Sequence, residues 1–151
     1  MKAKGGVLIE GNGNNPEPLT EGVVLKNLLL YWFMGGTSLT IRGLNGGGVL
    51  RNHVQNVRVR HAHTGIRIET DDSTSVANSM SFLGGAISGG ITHAGIIVNG
   101  TAGSACNDHK FYGMVIEPRD TELAHVYVEG ESANIKLVDV RLEGSDMDDV
   151  N

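Results

Sequence analysis

Two glutamates, Glu117 and Glu143, have the setting that best suits chemistry in this chain of 151 residues. Each follows an apolar residue, Ile116 or Leu142, at the end of a short alternating segment, and they stand 26 positions apart. If those segments are equivalent strands in successive turns of a repeat, both carboxylates face outwards and their backbones lie roughly 4.8 Å apart. Carboxyl groups about 5 to 5.5 Å apart suit a retaining glycosidase, and wider pairs an inverting one. Like charges that close also raise one of the two pKa values, as a general acid requires. Asp139 and Arg141 share the outward parity, and Arg119 lies two residues after Glu117. Arginines so placed would hold acidic sugar groups and keep one carboxylate ionised. The plainer account is a solvated strip of acids neutralised by arginine.

Other residues offer less. Arg58, Arg60, Arg67 and Glu69 alternate with apolar residues and predict a polar outer strip, either a binding face for an acidic glycan or a simply solvated face. His61 and His63 share one parity, but no third ligand stands at a suitable spacing, so both read as corner residues rather than a zinc site. Asp71 and Asp72 could ligate calcium, although two adjacent acids in a loop are weak evidence. Trp32, Tyr112 and Tyr127 are the aromatics able to stack on sugar rings, where core roles are the commoner use. The single cysteine, Cys106, has no disulfide partner and reads as a small buried hydrophobe. The glycine-rich run 43–48 lacks the Lys-Ser/Thr pair and following helix of a phosphate loop and reads as a corner. No cofactor motif is present.

These residues need a scaffold, and the stretch 56–70 shows what it is. Val57/Val59 and Ile66/Ile68 alternate with charged residues at a period of two, the pattern of half-buried strands. The second pattern recurs with its first apolar residue at Leu39, Ile66, Ile96 and Val126, at intervals of 27, 30 and 30. A first-strand pattern, often opened by Asn, starts at Asn27, Asn56, Asn78, His109 and Asn134. Repeats of 20 to 50 residues signal a solenoid. The expected fold is all-β: a right-handed, single-stranded parallel β-helix of about five coils of 22 to 31 residues, one domain over 1–151. Leu39, Ile41, Val57, Val59, Ile66, Ile68, Ile96, Val98, Val126, Val128, Ile135 and Leu137 should point inwards. The Asn residues should occupy left-handed corners and hydrogen-bond to one another between coils.

Composition agrees. Glycine is 22 of 151 residues and proline only 3, which fits a β-protein with many corners. With 17 acidic and 12 basic residues there is no electrostatic footprint for nucleic acid. The start of the chain is too short and polar for a secretory signal. The apolar run 23–34 is too short to span a bilayer. As strand it puts Leu28, Leu30 and Trp32 on one face and Leu29, Tyr31 and Phe33 on the other, and a doubly apolar strand needs an outer cover. The tail 146–151 is acidic and reads as loose.

The stretch 107–144 carries Phe111-x-Gly113-x-x-Ile116-Glu117, His125-Val-Tyr-Val-Glu-Gly130, Asn134-Ile135 and Arg141-Leu-Glu-Gly144. In this form the chain resembles the right-handed parallel β-helices of pectate-lyase-like proteins and bacteriophage tailspikes. The resemblance is architectural, covers most of the chain, and leaves room for a piece of a longer tailspike-like protein. It implies a virion or extracellular location, a homotrimer with helices side by side, and a bacterial surface polysaccharide as partner, with neither nucleic acid nor membrane insertion. Depolymerisation as a glycoside hydrolase, elimination by a polysaccharide lyase, and adhesion without cleavage all stay open at this point. In the hydrolase case Glu117 and Glu143 would be acid and base or nucleophile, with Asp139 assisting. Arg119, Arg141, Arg58, Arg60, Arg67 and Tyr127 would bind substrate.

Overall fold

The computed structural model describes residues 5–118 and 123–144, and it is a parallel β-solenoid of about five turns. No helix occurs among the described residues, and all strand pairs are parallel. Three sheets run along the axis. The largest joins Gly5–Asn12, Leu29–Leu44, Arg58–Thr70 and Ala86–Gly100, then Val115–Pro118, Ala124–Gly130 and Arg141–Leu142. Its long strands change register near their middles, between Phe33 and Thr37 and again between Ser88 and Ala94. Each therefore has a first and a second half. The second sheet stacks Leu19–Glu21, Gly48–Leu50, Val76–Asn78, Ala105–Asn107 and Ser132–Ala133. The third stacks Val24–Lys26, His53–Gln55, Ser81–Leu83, Lys110–Tyr112 and Lys136–Val138.

The register bears out the repeat. Leu39, Ile66, Ile96 and Val126 are direct neighbours in the second half of the large sheet. Ladders of like residues fill the interior: Leu39, Ile66 and Ile96, then Ile41, Ile68 and Val98, and Val59, Ile87 and Ile116, all buried. Phe82 and Phe111 stack with centroids 4.6 Å apart. Val128 and Leu137 keep inward register positions, opposite Val98 and Phe111. They are nevertheless 44% and 42% exposed, because they lie in the last turn and no described turn covers them.

Two corner ladders exist where the sequence pattern merged them into one. After the third sheet the left-handed position is taken by Asn27, Asn56, Gly84, Gly113 and Asp139. Before that sheet it is taken by Gly22, Arg51, Ser79, Asp108 and Asn134. Asn78 and His109 adjoin the second ladder without belonging to it. One of the expected Asn–Asn contacts between turns forms, Asn56 Nδ2 donating to Asn27 Oδ1 at 2.9 Å, whereas Asn134 Nδ2 donates to the carboxylate of Asp108. A short polar side chain is what a left-handed L-residue tolerates best.

The run 23–34 is strand on both sides of the Asn27 corner, but its faces differ from simple alternation. Leu30 is buried, Leu29 and Tyr31 are exposed, and Trp32 is exposed as well, with φ of 72°. The left-handed residue breaks the period of two, so Phe33, not Trp32, packs against the core.

Candidate functional site

The register brings most of the chemistry-bearing residues to one outer face. In the first half of the large sheet, Leu30, Val59, Ile87, Ile116 and Leu142 share the inward position. The next position outwards runs Tyr31, Arg60, Ser88, Glu117. Glu143 continues it, its backbone N–H donating to Ile116 O at 3.0 Å. The outward position on the other side of the inward ladder runs Leu29, Arg58, Ala86, Val115, Arg141. Glu117 and Glu143 are therefore neighbours on adjacent turns, with backbones roughly 4.8 Å apart.

A groove of about 550 Å³ lies over this face and the adjoining corner, with Leu29, Arg58, Arg60, Ala86, Ser88 and Val115 in its lining. Among the described residues no carboxylate pairs with Arg58 or Arg60. At the other end of the ladder Arg141 Nε meets Glu143 Oε1 at 2.7 Å, with both side chains well exposed. Such a pair contributes little to stability, roughly 0–1 kcal/mol, and leaves both groups free to meet a ligand. Beyond Arg60 the rings of Tyr31, Trp32 and His61 gather, with Trp32–His61 centroids 5.2 Å apart and Tyr31–His61 5.3 Å. Two L-residues there hold left-handed backbone, Trp32 at φ 72° and His61 at φ 54°.

The remaining sequence candidates lie elsewhere. Asp139 occupies the exposed left-handed corner that leads into Arg141–Leu142, so a corner separates it from the glutamate face. Arg67 and Tyr127 sit in the second half of the large sheet, on either side of buried Ile97. Arg67 is tied to Glu69 at 2.5 Å. The strip expected from Arg58, Arg60, Arg67 and Glu69 thus divides between the halves. Arg119 lies outside the described residues, as does the tail 146–151.

Asp71 and Asp72 spend their oxygens on the chain itself. Asp71 accepts from Asn45 N and Ser75 Oγ, and Asp72 from Gly46 N, Thr74 and Ser75. They lock one corner onto the next, and the Thr74 hydroxyl holds the Asp72 carboxyl below its usual range. Among the described residues no group of three or more His, Cys, Asp or Glu is arranged to hold a metal ion, and no helix is long and apolar enough to cross a membrane.

Cys106 and His109 form a pair that sequence reasoning missed, with Sγ and Nε2 3.7 Å apart in the core. Burial pushes the thiol up to about 11. Burial likewise pushes the imidazole down to about 4, against a smaller opposing pull from Asp108. Both are neutral near pH 7, so no thiolate–imidazolium nucleophile forms. His63 and His93, whose rings stack at 4.7 Å on adjacent turns, also went unread. The signal was there: His61 follows Trp32 by 29 residues and His93 follows His63 by 30, each one turn of the solenoid.

Compared with models of protein families, with curated proteins and with solved structures, the chain shows no match.

Proposed function

We propose that this chain is a tailspike-like β-helix protein that binds an extended anionic polysaccharide of bacterial surfaces along the outer face of its large sheet. The observation that carries the reading is the pair Arg58 and Arg60, without carboxylate partners among the described residues, in a groove on that face. Uncompensated guanidinium groups recognise carboxylate or phosphate with charge-assisted hydrogen bonds. Such a groove on stacked strands is preorganised, and a polymer lying along the axis meets one equivalent side chain per turn. Glu117 and Glu143, further along the same ladder, are assigned as acid and as base or nucleophile of hydrolysis. Arg141 pairs with Glu143 at 2.7 Å, so a guanidinium stands beside the proposed carboxylate pair.

The test is incubation with acidic capsular or lipopolysaccharide preparations, measuring retardation in affinity electrophoresis and the release of new reducing ends. The parent should be retarded and should release ends. Glu117→Gln and Glu143→Gln should each abolish release with binding nearly intact. Parental cleavage by both variants removes the pair from the mechanism. Binding without any new reducing ends makes the protein an adhesin, and an unsaturated, ultraviolet-absorbing product makes it a lyase. Failure of every acidic polysaccharide to retard the parent refutes the reading.

A further inference from the structure

We infer that Tyr31, Trp32 and His61 form a stacking platform for a neutral sugar ring at one end of the arginine groove, with the ligand's anionic group on the adjoining ring over Arg60. This rests on the polysaccharide reading and gives it a direction. Alternation from Leu28 and Leu30 would turn Trp32 inwards, yet its left-handed backbone turns it out, leaving it 52% exposed. Positive φ is uncommon in a bulky L-residue and survives only where the surroundings hold it, often at functional sites. Here two such residues are stacked, Trp32 and, one turn on, His61. The next turn supplies Gly89, also left-handed at φ 75°, and Gly90. The His61 ring lies against both, so that a Cβ on Gly90 would come within 3.0 Å of His61 Nδ1. Tyr31 and Trp32 flank the ring from the other side, with Tyr31 edge-on to it at 82°.

The result is a braced, half-exposed aromatic surface. Rigid aromatic side chains lose little conformational freedom on binding, and their faces suit the C–H face of a sugar ring. Charge decides between a glycan and a second copy of this chain. Arg60 follows Tyr31 on the ladder, and Arg58 lies beside it. A dry subunit contact would have to bring carboxylates opposite these two guanidinium groups or bury them unpaired, which is costly. An anionic glycan supplies the missing charge.

Trp32 is the only tryptophan in the chain, so intrinsic fluorescence reports on the platform directly. The probes are acidic capsular polysaccharide preparations and neutral dextran. The expected result is a saturable change in emission with an acidic polysaccharide and none with dextran. Trp32→Gly, which suits the left-handed backbone, should melt like the parent and lose affinity by on the order of tenfold in affinity electrophoresis. An acidic polysaccharide that retards parent and variant equally, with silent fluorescence, overturns the platform and leaves the polysaccharide reading standing. If none retards the parent, both fall. Emission that shifts with protein concentration alone, with a multimer by light scattering that Trp32→Gly abolishes, assigns the surface to a second copy instead.

Discussion

His109 should make this solenoid acid-sensitive over a defined interval. Its side chain is fully buried, its Nδ1 has no hydrogen-bond partner, and its Nε2 faces only the Cys106 sulfur. Burial lowers its pKa from 6.5 to about 4 in the folded protein. Above pH 6.5 neither state is protonated there, and the contribution to stability is intact. As pH falls from 6.5 to 4 the unfolded chain takes up a proton that the folded one refuses, so stability is lost across that window. Each pH unit costs about 1.4 kcal/mol there, so the interval as a whole costs about 3 kcal/mol, a large share of a domain's stability. His109→Met removes the titration, and the fold accepts that residue: Met80 occupies the equivalent inward position one turn earlier and is fully buried. Urea unfolding of parent and variant from pH 7.5 to 4 is the assay, with carboxylate contributions common to both. The variant's advantage should grow by about 3 kcal/mol between pH 6.5 and 4. Parallel curves for the two proteins across that window would refute the reasoning.

Ile68→Asp should prevent cooperative folding, because Ile68 is fully buried between Ile41 and Val98 and its replacement leaves an unpaired charge in a dry ladder; a parental melt by circular dichroism would show that its inward placement is wrong. Asn56→Ala should cost about 1–2 kcal/mol in urea unfolding, since it puts an L-residue without a polar side chain at φ 49° and removes the amide bond to Asn27. Asn56→Gly should cost clearly less, because glycine accepts that backbone. Equal losses from the two would mean that the side-chain bond, not the corner conformation, matters.

The solenoid was legible because stacked turns repeat the same physical demand at every level. Leu39, Ile66 and Ile96 each need a branched apolar side chain inside, so the period of the chain prints through the sequence. Corners were harder. Asn, Asp, Ser, Arg and Gly all occupy left-handed positions here, and two corner ladders only a few residues apart gave overlapping Asn signals. Faces were legible where alternation is unbroken, as at Val57 and Val59, and misread at Trp32, where one positive φ reverses the parity from Phe33 onwards. The neighbour relation of Glu117 and Glu143 comes from counting turns. The meeting of Arg60 with Tyr31 does too, once the period is applied to outward residues as well as inward ones. Spacing does not show which arginines lack partners: Arg67 pairs with a carboxylate two residues away on its own strand, and Arg60 pairs with none among the described residues.

The order of side chains along the outer ladder gives the proposed site its logic. Tyr31, Arg60, Ser88, Glu117 and Glu143 span four turns, roughly 19 Å, so one extended ligand can touch them all without any loop moving. The sign of charge changes midway, at Ser88. An anionic group held over Arg60, as proposed, would thereby be kept away from the two glutamates, whose like charge would repel it. In the proposed complex, the ring over Glu117 and Glu143 would be a different, less charged unit of the polymer. A hydroxyl at Ser88 suits the crossing, since it donates or accepts and imposes no charge. If the ladder were a random solvated strip, nothing would require Arg60 to lack a carboxylate partner among the described residues while Glu143 at the acidic end is paired with Arg141. That asymmetry fits a face completed by an anionic ligand at one end, with the two glutamates at the other.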